Sequence, residues 1–403
     1  MVGALARLER GPLSFWRALF LASAGLLGVI LVFRFSGGLG AVSHLSDQMP
    51  WGLWIGFDLL CGVALAAGGF TLTSIVTIFH LEDYRPIVRP TILTAFLGYM
   101  LVICALLIDL GRPWNIWHPL IFWNPHSVMF EVGWCVMLYT LVLFLEFLPL
   151  VFERLGFRRP LRVWHQLTPA LVLLGVLLST LHQSSLGTLY VIVPQKLHPL
   201  WYSPILPLLF FVSATALGLA MVCVESFLSL RAFGKRLEPE LLERLGRATA
   251  VVLLLYLTIR LQDIWLRGSL PAILRLDTGA WFFLGEIVLG GLLPMALLFS
   301  ARVRCRPLCL VFSQFLVVLG MIFNRMNVAV TAFQLGTCAA YEPSWMEFVV
   351  SLALVVIGFG LFSLAARYLP VFPEGPVGRP QPTDPYVELA REPSFQAYRE
   401  APP

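Results

Sequence analysis

The stretch Gly56–Phe70, GFDLLCGVALAAGGF, carries one carboxylate, Asp58, inside an apolar run. Whether that run crosses a bilayer, for which about 20 apolar residues are needed, decides the fold. The rest of the chain says that it does. Of 403 residues, 58% are apolar and only 13% charged, where a soluble domain carries about 25% charged residues. Mean hydropathy is +0.82. Apolar runs recur from end to end, and no stretch between them leaves room for a soluble catalytic domain. The pattern predicts an all-α integral membrane protein with about ten transmembrane helices. Its spans are residues 14–35, 53–79, 90–110, 128–152, 166–182, 203–230, 248–266, 280–299, 308–324 and 345–366. Residues 370–403 are rich in proline and polar side chains and read as a disordered tail.

Charge orients the spans. With the N-terminus inside, the inner segments carry Arg7, Arg10, Arg85, Arg89, Arg154, Arg158, Arg159, Arg162, Arg231, Lys235, Arg236, Arg244, Arg247, Arg302, Arg304, Arg306 and Arg367. The outer segments hold a scatter: Arg34, Arg112, Lys196, Arg267, Arg275 and Arg325. This bias places both termini in the cytoplasm. It also accounts for the net charge of +5 without a nucleic acid. The outer loops are aromatic rather than polar, with Trp114, Trp117, Phe122, Trp123, Tyr190, Trp201 and Tyr202. Two explanations stay open: an aromatic belt at the headgroups, and a face covered by a partner subunit.

Asp58 follows Trp51 by seven residues, which puts it roughly 10 Å below the outer interface. Glu286 has a similar depth in its own span, and Glu131 lies near the outer end of another. Asp109, Asp263 and His182 close three further spans, with Arg260 one turn below Asp263. A lone charge in hydrocarbon costs about 2.5–3.5 kcal/mol, so a layer of them implies either pairing or function. Arg260 and Asp263 are spaced to pair on one helix face. Asp58, Glu131 and Glu286 have no cation within a turn and read as a functional polar pocket. Deeper down, Glu146 and Glu225 either snorkel towards interfacial arginines or form a carboxylate ladder for protons.

The chain offers little for an electron carrier of its own. All seven histidines fall in loops or at span ends, none of the seven cysteines forms a CxxC pair, and there is no Walker loop. A redox role would need a small bound molecule and a partner.

Three stretches resemble one family. MPWGLWIGFDLLCGVALAAGGF (Met49–Phe70), LLIDLGRPWNIW (Leu106–Trp117) and LHQSSLGTLYVI (Leu181–Ile192) are similar to the NrfD-type integral membrane subunits. The first is most similar to the HybB branch, the membrane subunit of periplasmic nickel–iron hydrogenases. The resemblance covers spans two to ten. It implies two four-helix bundles, spans 2–5 and 6–9, with spans one and ten as flanking helices. In weak independent support, LTIRLQDIW (Leu257–Trp265) echoes LLIDLGRPW four spans earlier.

The resemblance further implies a menaquinone or ubiquinone site near the outer face of the first bundle, and neither haem nor iron–sulfur cluster in this chain. The implied partners are a periplasmic-side ferredoxin-like iron–sulfur subunit and, through it, a [NiFe] hydrogenase large and small subunit pair. The implied location is the bacterial inner membrane. A quinone needs donors at its ring carbonyls and a titratable relay nearby. Asp58, Asp109 and His182 are the first choices, with Arg112 holding Asp109, Glu131 close by, and Trp51, Trp54 and Trp114 as walls. Glu131, Glu146, Glu225 and Glu286 are the candidate proton path. Relatives in polysulfide reductases, quinone reductase complexes and alternative complex III keep the complex open. A secondary transporter and a purely structural anchor are the competing classes.

Overall fold

The computed structural model describes residues 15–67, 72, 73, 76, 84–233, 239–338 and 340–372; the polar tail from 373 onward, His80, Lys235 and Arg236 lie outside them. Every regular element among these residues is helical. Nine helices are long and apolar enough to cross a membrane, and a shorter apolar helix joins them. In chain order they are α1 (Phe15–Gly37), α2 (Trp54–Ala66), α3 (Arg85–Asp109), α4 (Val128–Leu155), α5 (Arg158–Val191), α6 (Leu206–Phe233), α7 (Pro239–Leu266), α8 (Thr278–Phe299), α9 (Pro307–Thr337) and α10 (Trp345–Tyr368).

The helices alternate in direction. One end of the molecule gathers the exposed rings of Trp114, Trp117, Trp123, Trp265, Trp281 and Trp345; we call it the aromatic end. The other gathers Arg154, Arg302, Arg306 and Arg367 and is the arginine end. α2 packs on α3, α3 on α4 and α4 on α5; the Gln183 side chain of α5 reaches back to the Val63 carbonyl of α2 at 3.2 Å. α6, α7, α8 and α9 form the second group, and α5–α6 and α2–α9 contacts join the two. In α6, 72% of the spanning stretch is buried, against 17% in α1 and 22% in α10, so α6 is central and the other two are peripheral. α10 lies on α1 and α3.

Local chemistry sets the ends. Ser127 caps α4, accepting from the Phe130 amide, and Gly156 in the left-handed region (φ 72°) turns the chain into α5. Ser344 and Glu347 form a reciprocal capping box on α10. The helices continue through Pro149 and Pro169; Pro207 sits in the first turn of α6, where proline is tolerated, and Pro294 lies in α8 just after the π-helical segment Val288–Leu292. Three π-helical segments interrupt the α-helical pattern: Trp54–Cys61, Val288–Leu292 and Asn327–Thr331. Such turns recur at functional sites; the first contains Asp58, and the other two begin two residues after Glu286 and Arg325.

Three helices differ clearly from the sequence expectation. α7 begins at Pro239, nine residues before 248. α5 runs far beyond residues 166–182, and α9 continues past 324 to Thr337. In α9, Arg325 and Asn327 hide the apolar continuation Val328–Phe333. Arg325 is therefore a buried helix residue and not part of the outer-loop scatter.

Candidate functional site

The expected polar layer divides into three clusters. The first lies between α1, α2, α3 and α10. The π-helical turn of α2 directs Trp54 and Asp58, four residues apart, to one side. There Ser351 of α10 donates to Asp58 Oδ2 at 2.6 Å, and the Trp54 indole donates to the Glu347 carbonyl at 3.2 Å. Asp109, at the end of α3, is within electrostatic reach of both Asp58 and Glu347, and its Oδ1 is buried without a hydrogen-bond partner among the described residues. The cation of this cluster is Arg34. It is 2% exposed and donates to the Ile108 and Leu110 carbonyls at 2.6 Å each, capping α3 from α1. Arg112, the expected holder of Asp109, is exposed and makes no ion pair with it among the described residues.

A strap closes this cluster. Tyr341 donates to Glu347 Oε2 and accepts from the Leu53 amide at 2.8 Å, while Glu347 Oε1 accepts from the His44 and Ser344 amides at 3.1 and 3.0 Å. Burial and the adjoining Glu347 raise the Tyr341 phenol above its usual range. A side-chain carbon on Gly52 would collide with that phenol, so the chain needs a glycine there.

The second cluster lies inside α3, α4 and α5. His182 is fully buried, and neither ring nitrogen has a hydrogen-bond partner among the described residues. Its ring stands 5.6 Å from that of Tyr99, and Tyr99 stands 4.7 Å from Tyr139, edge to face. The hydroxyls of Tyr99, Tyr139 and Ser179 are also unpartnered; Ser179 lies beside Tyr139 without closing a bond. Buried groups of this kind cost about 1–3 kcal/mol each unless something pairs with them. Below them come Glu146, beside Gly175, and then a cavity lined by Arg89, Glu146, Glu153, Trp164 and Thr168 at the arginine end. Arg89 pairs with Glu153 at 3.1 Å. Tyr139, Glu146 and Glu153 repeat every seven residues on α4, and Thr168, Gly175 and His182 do so on α5. A seven-residue repeat keeps side chains on one helix face. That spacing is the signal in the sequence for Tyr139.

The third cluster belongs to the second bundle. Glu286 accepts from Trp201, Asn324 and Asn327 at 2.9, 2.6 and 3.0 Å. The expected Arg260–Asp263 pair does not form. Asp263 pairs with Arg267 at 2.8 Å and accepts from Ser203, while Arg260 donates to the Leu200 carbonyl at 2.9 Å. Both spacings are possible on a helix, and Arg260 is turned towards the interior.

The remaining candidates stand apart. Glu131 is exposed on the first turn of α4, and Trp114 is 67% exposed. Trp51 packs against Tyr190 and Phe333 at the junction of the bundles, away from Trp54. Glu225 accepts from Thr94 at 2.8 Å across α3 and α6, with no hydrogen bond to Glu146. No group of three metal-ligating side chains occurs among the described residues, and the ring contact of His182 is to a tyrosine rather than to a second histidine.

Comparison with known proteins gives these clusters a context. The family model for "Polysulphide reductase, NrfD" matches residues 41–335. A protein of Nitratidesulfovibrio vulgaris is 41% identical over 87% of this chain and 93% of its own length. The "Probable Ni/Fe-hydrogenase 2 b-type cytochrome subunit" of Escherichia coli is 35% identical over 86% of this chain and 89% of its own. The "Menaquinone reductase, integral membrane subunit" of N. vulgaris is 29% identical over 84% and 86% respectively. Helical throughout its described elements, matched by the model over most of its length and by a relative along nearly all of both chains, the chain belongs to the NrfD family.

Proposed function

We propose that the chain is the quinone-reactive membrane subunit of a respiratory oxidoreductase complex. The observation that carries this is the unpartnered tract of His182, Tyr99, Tyr139 and Ser179, which leads from the aromatic half of the first bundle towards Glu146. A quinone that accepts two electrons also takes up two protons, and its ring carbonyls call for donors. His182 and Tyr99 are buried donors with nothing yet to bind. Asp58 and Asp109, on the neighbouring α2 and α3, supply acid groups at similar depth. Tyr139 and Ser179 hand protons on to Glu146 and Glu153 at the arginine end, with water filling the gaps. Thr94–Glu225 branches from this line towards α6.

Electrons enter from a partner on the aromatic end, whose exposed tryptophans suit a covered face. The positive-inside pattern supports the reading that this end faces outward from a bacterial inner membrane, with both termini in the cytoplasm. The E. coli relative favours the hydrogenase branch, hence an iron–sulfur subunit and a [NiFe] hydrogenase pair as partners, and menaquinone or ubiquinone as substrate. The menaquinone reductase relative supports a second reading, in which a different catalytic subunit feeds the same site. In either case the chain itself carries neither haem nor iron–sulfur cluster.

The test is Asp58→Asn in the intact complex. Reduction of an artificial dye by the catalytic subunits should persist while quinone reduction falls at least tenfold. If both rates stay unchanged, the proposal is withdrawn.

A further inference from the structure

The second bundle contains a cavity that the quinone chemistry does not use. Arg260 of α7 and Arg325 of α9, respectively 1% and 2% exposed, both line it, together with Phe210, Tyr256 and Asn324. Each guanidinium is held in place. Arg260 donates through Nη2 to the Leu200 carbonyl and stands 5.5 Å from the Phe283 ring. Arg325 donates to Asn324 Oδ1, the Phe210 carbonyl and Ser213 at 3.0, 3.0 and 2.8 Å, and lies 3.6 Å from the Phe210 ring. Three nitrogens, carrying four N–H bonds, have no partner among the described residues: Nε and Nη1 of Arg260, and Nε of Arg325.

The charges do not balance. Arginine stays protonated in proteins. Tyr256 is within electrostatic reach of Arg260, Arg325 and Glu286, and of these only Glu286 is an acid. Asp263 is already paired with Arg267. Even with Glu286 counted as fully ionised, one positive charge remains unpaired among the described residues of the buried interior, where an uncompensated charge is costly. A water molecule would satisfy one or two donors but leave the charge. An anion would satisfy both.

We infer that this cavity binds one small inorganic monovalent anion of the size of chloride, held between Arg260 and Arg325. The space admits something close to a water molecule in size, which excludes a phosphate, a carboxylic acid or a quinone ring. Bound there, the ion ties α7 to α9. Its role is to hold the second bundle together, and it takes no part in electron transfer.

The test uses the full chain purified in detergent in gluconate buffer, titrated with sodium chloride at constant ionic strength. The melting temperature should rise saturably by about 3 °C or more, and bromide should replace chloride. Arg260→Gln removes the surplus charge and should abolish the halide response. Bromide located by anomalous diffraction in the wild-type protein checks the site without relying on any variant. No halide-specific rise, no bromide between the two guanidinium groups, or an undiminished response in folded Arg260→Gln would each overturn the inference.

Discussion

His182→Phe separates a structural histidine from a functional one. Phenylalanine keeps an aromatic ring at the same place against Tyr99 and removes both unpartnered nitrogens. An unmade hydrogen bond on a buried group costs about 1–3 kcal/mol. Replacing the imidazole therefore leaves stability unchanged or raises it by a similar amount, and each kcal/mol moves the melting temperature by about 2–4 °C in a chain of moderate size. A positioned acid–base group, by contrast, contributes about 10²–10⁴-fold to a proton-coupled step. The variant should thus melt at or several degrees above the wild-type temperature while quinone turnover falls at least about 100-fold. The assay is quinone reduction by the assembled complex, with dye reduction by its catalytic subunits as the control for assembly. Quinone turnover within about twofold of wild type would refute the reasoning. So would a lower melting temperature with a parallel loss of assembly, because His182 would then be holding the fold.

Other perturbations follow from the same contacts. Ser351→Ala deletes the α10 hydroxyl on Asp58; a bond to a charged acceptor is worth about 1.5–3 kcal/mol, so quinone turnover should drop about tenfold or more, with Ser351→Thr restoring much of it. Glu146→Gln keeps the shape but removes a proton carrier, and should slow turnover in liposomes more than dye reduction, with a smaller solvent isotope effect if another route takes over. At the α8–α9 crossing, Gly290 and Gly320 touch backbone to backbone, and a side-chain carbon on either would overlap the other. Gly320→Ala should cost about 1–3 kcal/mol or more, read as a lower melting temperature and reduced yield of folded protein in the membrane.

Much was legible in the sequence because a bilayer constrains it severely. A hydrocarbon core about 30 Å thick demands apolar runs of about 20 residues, so α1, α4, α8 and α10 begin and end close to where hydropathy placed them. Depth was legible too. A helix advances about 1.5 Å per residue, so Asp58 and Glu286 read as lying at similar depth from distance along the chain, whereas His182, expected at the end of its span, lies nine residues inside α5, which runs on to Val191. The motifs around Asp58, Asp109 and His182 were sufficient to indicate the family.

What the sequence could not give was azimuth, the direction in which each group points around its helix. A π-helical turn directs Asp58 towards α10, while His182 faces Tyr99. Arg34 and Arg325 read as loop charges because hydropathy averages over a window and loses a single arginine at a helix end. Their long side chains instead fold inward, to the carbonyls ending α3 and to Asn324, Phe210 and Ser213 in the second bundle. Arg260 could have paired with Asp263 by spacing, yet Arg267 lies on the same face and takes it. Composition and helical rise follow from residues near one another in the chain. Which ionisable groups meet depends on how ten helices rotate and pack, and only the tertiary structure decides that.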